Sequence, residues 1–391
     1  MTELSADWMS RPDLAKLVAV LGANNIRWVG GAVRDSLLGR PVHDIDAATT
    51  LPPAEVITRL DGAKIRSIPT GIAHGTVTAV LDGGHVEITT LRSDVSTDGR
   101  HAEIEQVGDW REDAARRDFT INALYAHPET GKVDDWFGGL DDLAAGRVRF
   151  IGDPRQRIRE DHLRILRYYR FQARFGSTLD EDGERACSEL APMLKGLSRE
   201  RVGWELKNLL GVDAPVETLR RMLEEGVLGV ILPEVDAEGI DRLAALVTAE
   251  GNAGLPPSPI RRLAALLPEG RKVAEQVAAR LRLSTANRKR LVAAGERDGD
   301  VSDPRGLAYR LGREEAMDRL LLEGADPSAI SGWEIPHLPL KGGEIVERGV
   351  SAGPGVARVL RAVEERWIAE GFPPRERVEV LLNDELRGEL P

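Results

Sequence analysis

Apolar and polar positions follow two rhythms along this chain, and the change between them divides it. Leu14, Leu17, Val18 and Leu21 recur at helical spacing and predict a lead-in helix within residues 1–25. Ile26 to Val29 is an apolar run of strand length, followed by a tight turn at Gly30-Gly31 and a helix from Ala32 to Leu38 that Gly39 ends. Asp44-Ile45-Asp46 fits a second strand, and Leu51-Pro-Pro starts a covering helix that runs through Val56 to Leu60. Residues 71–92 alternate and are rich in β-branched side chains, which predicts two strands joined at Asp82-Gly83-Gly84. Residues 93–113 lack periodicity and carry much charge, as a polar loop would. Phe119, Asn122, Ala123 and Leu124 suggest a helix behind Arg116 and Arg117, and 134–140 reads as a closing turn.

From Gln156 onward the rhythm is helical, with Ile158, Leu163, Leu166 and Tyr169 as the packing side. Helical spacing continues through 177–212, where Ser198 caps a helix whose apolar stripe is read as Trp204, Leu206, Leu209 and Leu210. Beyond 213 the chain reads as helices and turns, with linkers near 213–215 and 251–259, and 336–371 ends in a long amphipathic helix. The expected fold is therefore α+β: a head with a small mixed β-sheet and helices over 1–146. All-α regions follow, a neck over 147–212, a body over 213–330 and a tail over 331–391.

Composition changes this picture in three places. The 391 residues are 42% hydrophobic and 30% charged, ordinary for a globular protein, and no apolar run is long enough to span a bilayer. One cysteine, Cys187, excludes an internal disulfide framework and fits a cytoplasmic location. A net charge of −11 argues against indiscriminate nucleic-acid binding, yet residues 147–174 hold nine arginines, no lysine and three acids. Arginine's planar fork suits bidentate recognition, so this local reversal points to a binding face.

The candidate chemistry begins at residues 26–46. Gly30 and Gly31 allow the backbone to approach a ligand, the helix start behind them suits a triphosphate, and Arg34 can add a charge-assisted contact. Asp44 and Asp46, two apart in a strand, face the same way, and two carboxylates that close are usually held by a divalent cation such as Mg²⁺. Glu87, on the following hairpin, could reach the same edge. Further on, Asp161, Arg164 and Arg167 fall one helical turn apart. A carboxylate accepts from an exocyclic amino group while a guanidinium donates to a ring nitrogen, a pattern that cytosine and adenine both present. Guanine and uracil present the reverse order and would leave buried groups unpaired.

The order GG-x-V-R-D followed by D-x-D resembles the catalytic signature of the class II nucleotidyltransferases, the group containing tRNA CCA-adding enzymes and bacterial poly(A) polymerases. The segment H-G-T-V-T through E-I-T-T-L-R, the run RRDFTINAL, the element E-D-x-x-R at Glu160 to Arg164 and R-x-x-x-E-L from Arg201 resemble further family elements. The likeness is strong over 26–210 and looser beyond. It implies catalytic roles for Asp44, Asp46 and Glu87, with Mg²⁺ on Asp44 and Asp46 and Asp118 as a rival third carboxylate. It implies nucleotide contacts from Gly30, Gly31, Arg34, Arg117 and Asp118, and base selection by Asp161 and Arg164 supported by Arg167 and Arg170. The loop at 93–113, Asp98 and Arg100 included, would help choose the incoming nucleotide.

The leading expectation is template-independent addition of C, C and A to tRNA 3′ ends from CTP and ATP, with pyrophosphate leaving. Poly(A) polymerase, and a CC-adding or A-adding enzyme of a split system, are the alternatives within the group. An inactive RNA-binding relative is opposed by the intact carboxylates. A small-molecule nucleotidyltransferase would leave the arginine-rich stretch and the long helical remainder unexplained.

Overall fold

In a computed structural model, residues 2–72, 75–97, 102–106, 109–297 and 300–389 are described. Asp98 and Arg100 lie outside them. The chain forms two compact units, Met1–Pro233 and Glu234–Pro391.

The first unit is built on a seven-stranded mixed sheet in the order β3-β4-β5-β2-β1-β8-β9. Its strands are β1 Ile26–Val29, β2 Ile45–Thr49, β3 Arg66–Gly71, β4 Thr76–Leu81, β5 Gly84–Thr90, β8 Leu124–Ala126 and β9 Val133–Asp135. Only β2 and β5 run parallel, while all other neighbours in the sheet are antiparallel. That parallel pairing follows from the crossover between them, which carries helix α3 Pro53–Gly62 and the β3–β4 pair. Helix α1 Pro12–Leu21 buries the stripe the spacing predicts, Leu14, Leu17, Val18 and Leu21. Helix α2 Gly31–Leu37 follows β1 directly, with Gly30 at φ +68° making the turn.

Two stretches depart from the sequence reading. Residues 93–113 are not simply a loop: β6 Arg92–Thr97 and β7 Ala102–Gln106 pair antiparallel as a separate two-stranded sheet, and helix α4 Trp110–Ala115 follows. Residues 116–124 do not form a helix. Only Thr120–Asn122 makes a 3₁₀ turn, because Asp118 Oδ1 takes the N–H of Phe119 and the side-chain amide of Asn122, and Leu124 is already in β8.

A helix α5, Gly139–Ala144, closes the sheet region, with Asp135 accepting the N–H groups of Phe137, Gly139 and Leu140. The arginine-rich stretch then forms α6 Pro154–Glu160 and α7 Arg164–Phe175, with α8 Glu181–Leu190 and α9 Arg199–Leu210 packed around them. A run of rings ties α7 to the sheet region. Phe119 lies 4.9 Å from Phe150 and 5.3 Å from Phe171, and Phe150 stacks on Tyr168 at 5.5 Å. Helices α10 Val216–Glu224 and α11 Val227–Ile231 also belong to this unit, held by Arg221, whose Nε donates to Glu184 Oε1 at 2.8 Å. The unit therefore ends inside the stretch 213–330, not at its start.

The second unit is helical throughout its described residues, from α12 Ala237–Asn252 to α20 Arg375–Glu389. One apolar cluster gathers Leu307, Ala308, Ala316, Leu320 and Ile330, and another lies around Trp367 with Val363, Val378, Leu381 and Leu382. Among the described residues, no helix is long and apolar enough to cross a membrane.

Candidate active site

Gly30 and Gly31, at the end of β1, form part of the wall of a cavity of about 620 Å³ in the first unit. A Cβ on Gly30 would face Arg117 Nη1 at 3.5 Å and Asp46 Oδ2 at 3.8 Å, and at φ +68° any L side chain would be strained. The glycine thus keeps this wall open between a guanidinium and a carboxylate.

Asp44 precedes β2 and Asp46 is its second residue, and both line the cavity. Asp46 stands opposite Val29 of β1 and, in parallel register, opposite Glu87 of β5. Burial raises the Asp46 carboxyl above its usual range, and the charges of Glu87 and Asp44 push the same way against Arg117. Glu87 is therefore an electrostatic neighbour of Asp46, but it does not line the cavity. Among the described residues no three His, Cys, Asp or Glu side chains group closely enough to hold a metal by themselves. The donor set is two carboxylates at the cavity edge. That fits Mg²⁺, which takes one or two protein carboxylates and completes its shell with water and substrate phosphate oxygens.

Arg117 faces these carboxylates from a rigid mount. Its Nε donates to Tyr125 Oη at 2.8 Å, Tyr125 Oη donates to Asp113 Oδ2 at 2.5 Å, and Arg116 Nη2 meets Asp113 Oδ1 at 2.6 Å. Burial opposes the Arg117 charge, but Tyr125, Asp113 and Asp46 outweigh it and hold the guanidinium charged. Arg34 is almost fully enclosed. Its Nε donates to Asp35 Oδ1 at 2.9 Å and its Nη1 to Asn122 Oδ1 at 2.6 Å, with Phe175 4.4 Å beneath.

Asp118 has both oxygens engaged. Oδ1 accepts from Phe119 N and Asn122 Nδ2, and Oδ2 accepts from Arg167 Nε at 2.8 Å and Nη2 at 2.5 Å. Burial pushes this carboxyl up, but Arg167, the Asn122 bond and Arg164 outweigh it and lower it to about 2. A carboxylate has about four acceptor sites, and these four bonds use them. In this arrangement Asp118 anchors Arg167 and has no lone pair left for a metal ion or a sugar hydroxyl.

The stretch Asp161–Arg167 corrects the expectation of one continuous helix. Asp161 lies between α6 and α7 in extended backbone, at φ −150°. Its Oδ1 accepts from Leu163 N at 3.1 Å, a local turn that breaks the helix and starts the next. Asp161 and Arg164 consequently pair with other partners: Asp161 Oδ2 with Arg201 Nη2 at 2.7 Å, Arg164 with Glu160 Oε2 at 2.7 Å and the carbonyls of Arg157 and Arg116. Both still line the same cavity, with Arg167 and Arg170.

Further lining residues carry no site role in the sequence reading: Arg116 and Asn122 within RRDFTINAL, Arg201 at the start of R-x-x-x-E-L, and Phe171 and Trp204. Phe171 has the guanidiniums of Arg170, Arg34 and Arg167 around its ring at 4.6, 5.2 and 5.7 Å. Trp204 is not on the apolar stripe of α9: it is 54% exposed, while Val202, Leu206, Leu209 and Leu210 are buried. The signal was in the spacing, since residues two apart on a helix point nearly opposite ways. Glu205 is buried and braces the arginine wall, its Oε2 accepting from Arg170 Nε at 2.7 Å.

Seven guanidiniums (34, 116, 117, 164, 167, 170 and 201) and four carboxylates (44, 46, 118 and 161) line the cavity. The surplus of positive charge, in a chain of net charge −11, suits a polyanion.

Comparison with known proteins decides the family. The model of the Poly A polymerase head domain matches residues 26–149, and that of the probable RNA and SrmB binding site of polymerase A matches 176–238. CCA tRNA nucleotidyltransferase 1, mitochondrial, of Homo sapiens is 35% identical over 377 residues, covering 89% of this chain and 84% of its own. The chain belongs to the CCA tRNA nucleotidyltransferase family. A bacterial member, the CCA-adding enzyme of Leuconostoc mesenteroides, is 32% identical over 86% of each chain. The crystal structure of the Bacillus stearothermophilus CCA-adding enzyme in complex with CTP superposes with a TM-score of 0.77 at 26% identity, over 97% of this chain and 99% of that one. The family's α+β head followed by helices is the architecture found here.

Proposed function

We propose that this protein adds C, C and A to the 3′ end of tRNA from CTP and ATP, releasing pyrophosphate. The observation that carries this reading is the single cavity in which paired carboxylates at a sheet edge face a wall of guanidiniums. Asp44 and Asp46 would hold Mg²⁺, with Glu87 adding negative charge beside Asp46. When bound, that ion supplies charge neutralisation and polarisation at the phosphoryl oxygens. Arg117, fixed by Tyr125 and Asp113, binds the triphosphate beside the open wall at Gly30 and Gly31, and Arg34 adds charge from below. Asp161 accepts from the amino group of cytosine or adenine, and Arg164 donates to the adjacent ring nitrogen. Asp118 acts through Arg167, and Glu205 through Arg170. The head, the neck over 147–212, the body and the tail together meet the tRNA by shape and phosphate contacts. We place the protein in the cytoplasm, as the lone cysteine suggests; cell fractionation tests this against the mitochondrial location in the human relative's name.

The test is incubation with tRNA ending at its discriminator base, Mg²⁺, and each nucleotide separately, then CTP and ATP together. Growth by C, C and A that stops there supports the reading. C-C alone, or A alone on tRNA ending in CC, replaces it with a split system. An open-ended A ladder on any RNA makes it a poly(A) polymerase. Bound tRNA without incorporation leaves an RNA-binding protein.

A further inference from the structure

The row of paired residues that carries Asp46 continues across the sheet. In register, Glu87 of β5 stands opposite Asp46 of β2, Asp46 opposite Val29 of β1, and Val29 opposite Tyr125 of β8. Directly paired residues project to the same face, so the Tyr125 ring rises from the face that carries Asp46, two strands away. Neighbouring strands lie about 4.8 Å apart, which separates the two positions by roughly 10 Å.

Arg117 spans that gap. It lies in the turn between the end of α4 and the 3₁₀ turn at Thr120, so the direction of its guanidinium rests on side-chain partners. Asp113 stands behind it, 1% exposed against 21% for the Arg117 side chain, with Arg117 Nη2 and Asp113 Oδ2 3.6 Å apart. That is too long for a hydrogen bond. The Tyr125 hydroxyl is bonded to both, accepting from Arg117 Nε at 2.8 Å and donating to Asp113 Oδ2 at 2.5 Å. Burial, together with the Asp113 charge, outweighs Arg117 and pushes the phenol up, so the hydroxyl keeps its proton and this order of donor and acceptor. Edge contacts with Trp136 at 5.5 Å and Trp110 at 6.2 Å fix the ring in turn.

Resting on the function proposed above, we infer that Tyr125 is a positioning residue for the incoming triphosphate, its hydroxyl acting as a spacer between Arg117 and Asp113. Opposite charges this close attract strongly where little water reaches, and without the hydroxyl the guanidinium closes on Asp113. It then turns from the cavity that it lines beside Gly30, Asp44 and Asp46. With the hydroxyl in place, Nε is spent on the phenol and the Nη edge stays toward the phosphates. One sheet mounts both Asp46 and the phenol, so strand register sets the distance between carboxylate and guanidinium. The alternative is that Tyr125 only fills the core between two tryptophans, a task phenylalanine performs as well.

Isothermal titration with CTP and with cytidine, without RNA, tests this on wild type, Y125F, R117K and the double variant. Y125F keeps the ring and its tryptophan contacts, and Asp113 keeps its bonds from Arg116, so the fold holds, which circular dichroism verifies. Y125F binds CTP about tenfold more weakly, the scale of one hydrogen bond to a charged group, and binds cytidine like wild type. R117K loses the same contact, so Y125F costs nothing further in its background. In turnover, Y125F raises the KM for CTP and ATP alike and leaves the KM for RNA in place. Equal CTP binding by Y125F and wild type overturns the inference, as does a loss shared by cytidine or an additive loss in the double variant. Wild type that binds CTP more tightly than Y125F but incorporates nothing would sink catalysis and leave the spacer standing. Wild type that completes CCA with Y125F unaltered would sink the spacer alone.

Discussion

Two buried glutamates, one in each compact unit, show what separates a charge cluster built for structure from one built for a ligand. Glu250 lies between Arg261 and Arg262, with Nε–Oε distances of 2.9 and 2.7 Å, and all three side chains are at most 5% exposed. Arg261 continues at 3.6 Å to Asp318, which Arg290 binds in turn. Arg261, Arg290 and Asp318 also line a cavity of about 520 Å³, which Glu250 and Arg262 do not. Glu205 is just as buried and also serves two arginines, Arg170 at 2.7 Å and Arg167 at 3.7 Å. Its Oε1 finds no hydrogen-bond partner, and Arg167 stays 32% exposed on the cavity wall. The Glu250 cluster pairs its members with one another at the cost of burying them, whereas the open Glu205 cluster leaves Glu205 Oε1 without a hydrogen-bond partner and Arg167 and Arg170 on the wall of the nucleotide cavity.

The sharpest way to separate the two is at the open site's carboxylate edge. D46N is expected to lower nucleotide incorporation by 10²–10³-fold or more, on the order of what one electrostatic group at a transition state supplies. Its thermal stability should hold or rise. Burial and two like charges raise the Asp46 carboxyl, so the ionised form costs the fold free energy that a neutral amide does not. A melting temperature lowered together with activity would place Asp46 among structural groups and break the comparison.

A paired substitution sharpens it further. E250Q should destabilise by about 3 kcal/mol, because the enclosed Arg261 and Arg262 both lose their short bonds to Glu250 and Arg261 falls back on the longer 3.6 Å contact with Asp318. E205Q should cost clearly less, since Arg167 keeps Asp118 and Arg170 keeps its contact with Phe171. It should instead raise the KM for CTP severalfold as the arginine wall loosens, while E250Q leaves that KM unchanged below its melting temperature. Urea titrations and steady-state kinetics on both proteins read the two effects. Equal losses of stability with equal KM values would mean that the clusters do not differ in kind.

Much of the site was legible because its residues lie close in sequence. Gly30, Gly31, Asp44 and Asp46 belong to one strand–helix–strand passage, and all four line one cavity, although Asp44 precedes its strand instead of lying in it. The arginine surplus of 147–174 could likewise be counted before it was placed. What escaped depended on side chains overruling periodicity. Asp161 spends Oδ1 on its own turn and splits a helix that the apolar spacing alone would continue. Asp118 does the same to RRDFTINAL. Arg201 and Trp204 reach the cavity from a helix some forty residues after Asp161; the R-x-x-x-E-L element marked that helix, but only the offset of Trp204 from its buried face pointed to the side that meets the cavity. The pairing of β6 with β7 was hidden for another reason, since its segments carry too few apolar residues for alternation to show.

The smallest effect concerns pH. Asp118 has a folded value of about 2 against an ordinary 3.8, because Arg167 and Asn122 hold its charged form despite burial. A lowered folded value means that the ionised carboxylate stabilises the fold above pH 3.8, and that this contribution disappears as pH falls from there to about 2. The difference corresponds to about 2 kcal/mol at neutral pH. D118N should therefore be less stable than wild type at pH 7 and approach it below pH 3, so that the two stability–pH curves converge on the acid side. Within the open cluster this substitution also frees Arg167 from its anchor, so its KM for CTP should rise at pH 7. Curves that stay parallel down to pH 2 would show that Asp118 holds Arg167 by shape and not by charge, and the open cluster would then be less electrostatic than its arginines suggest.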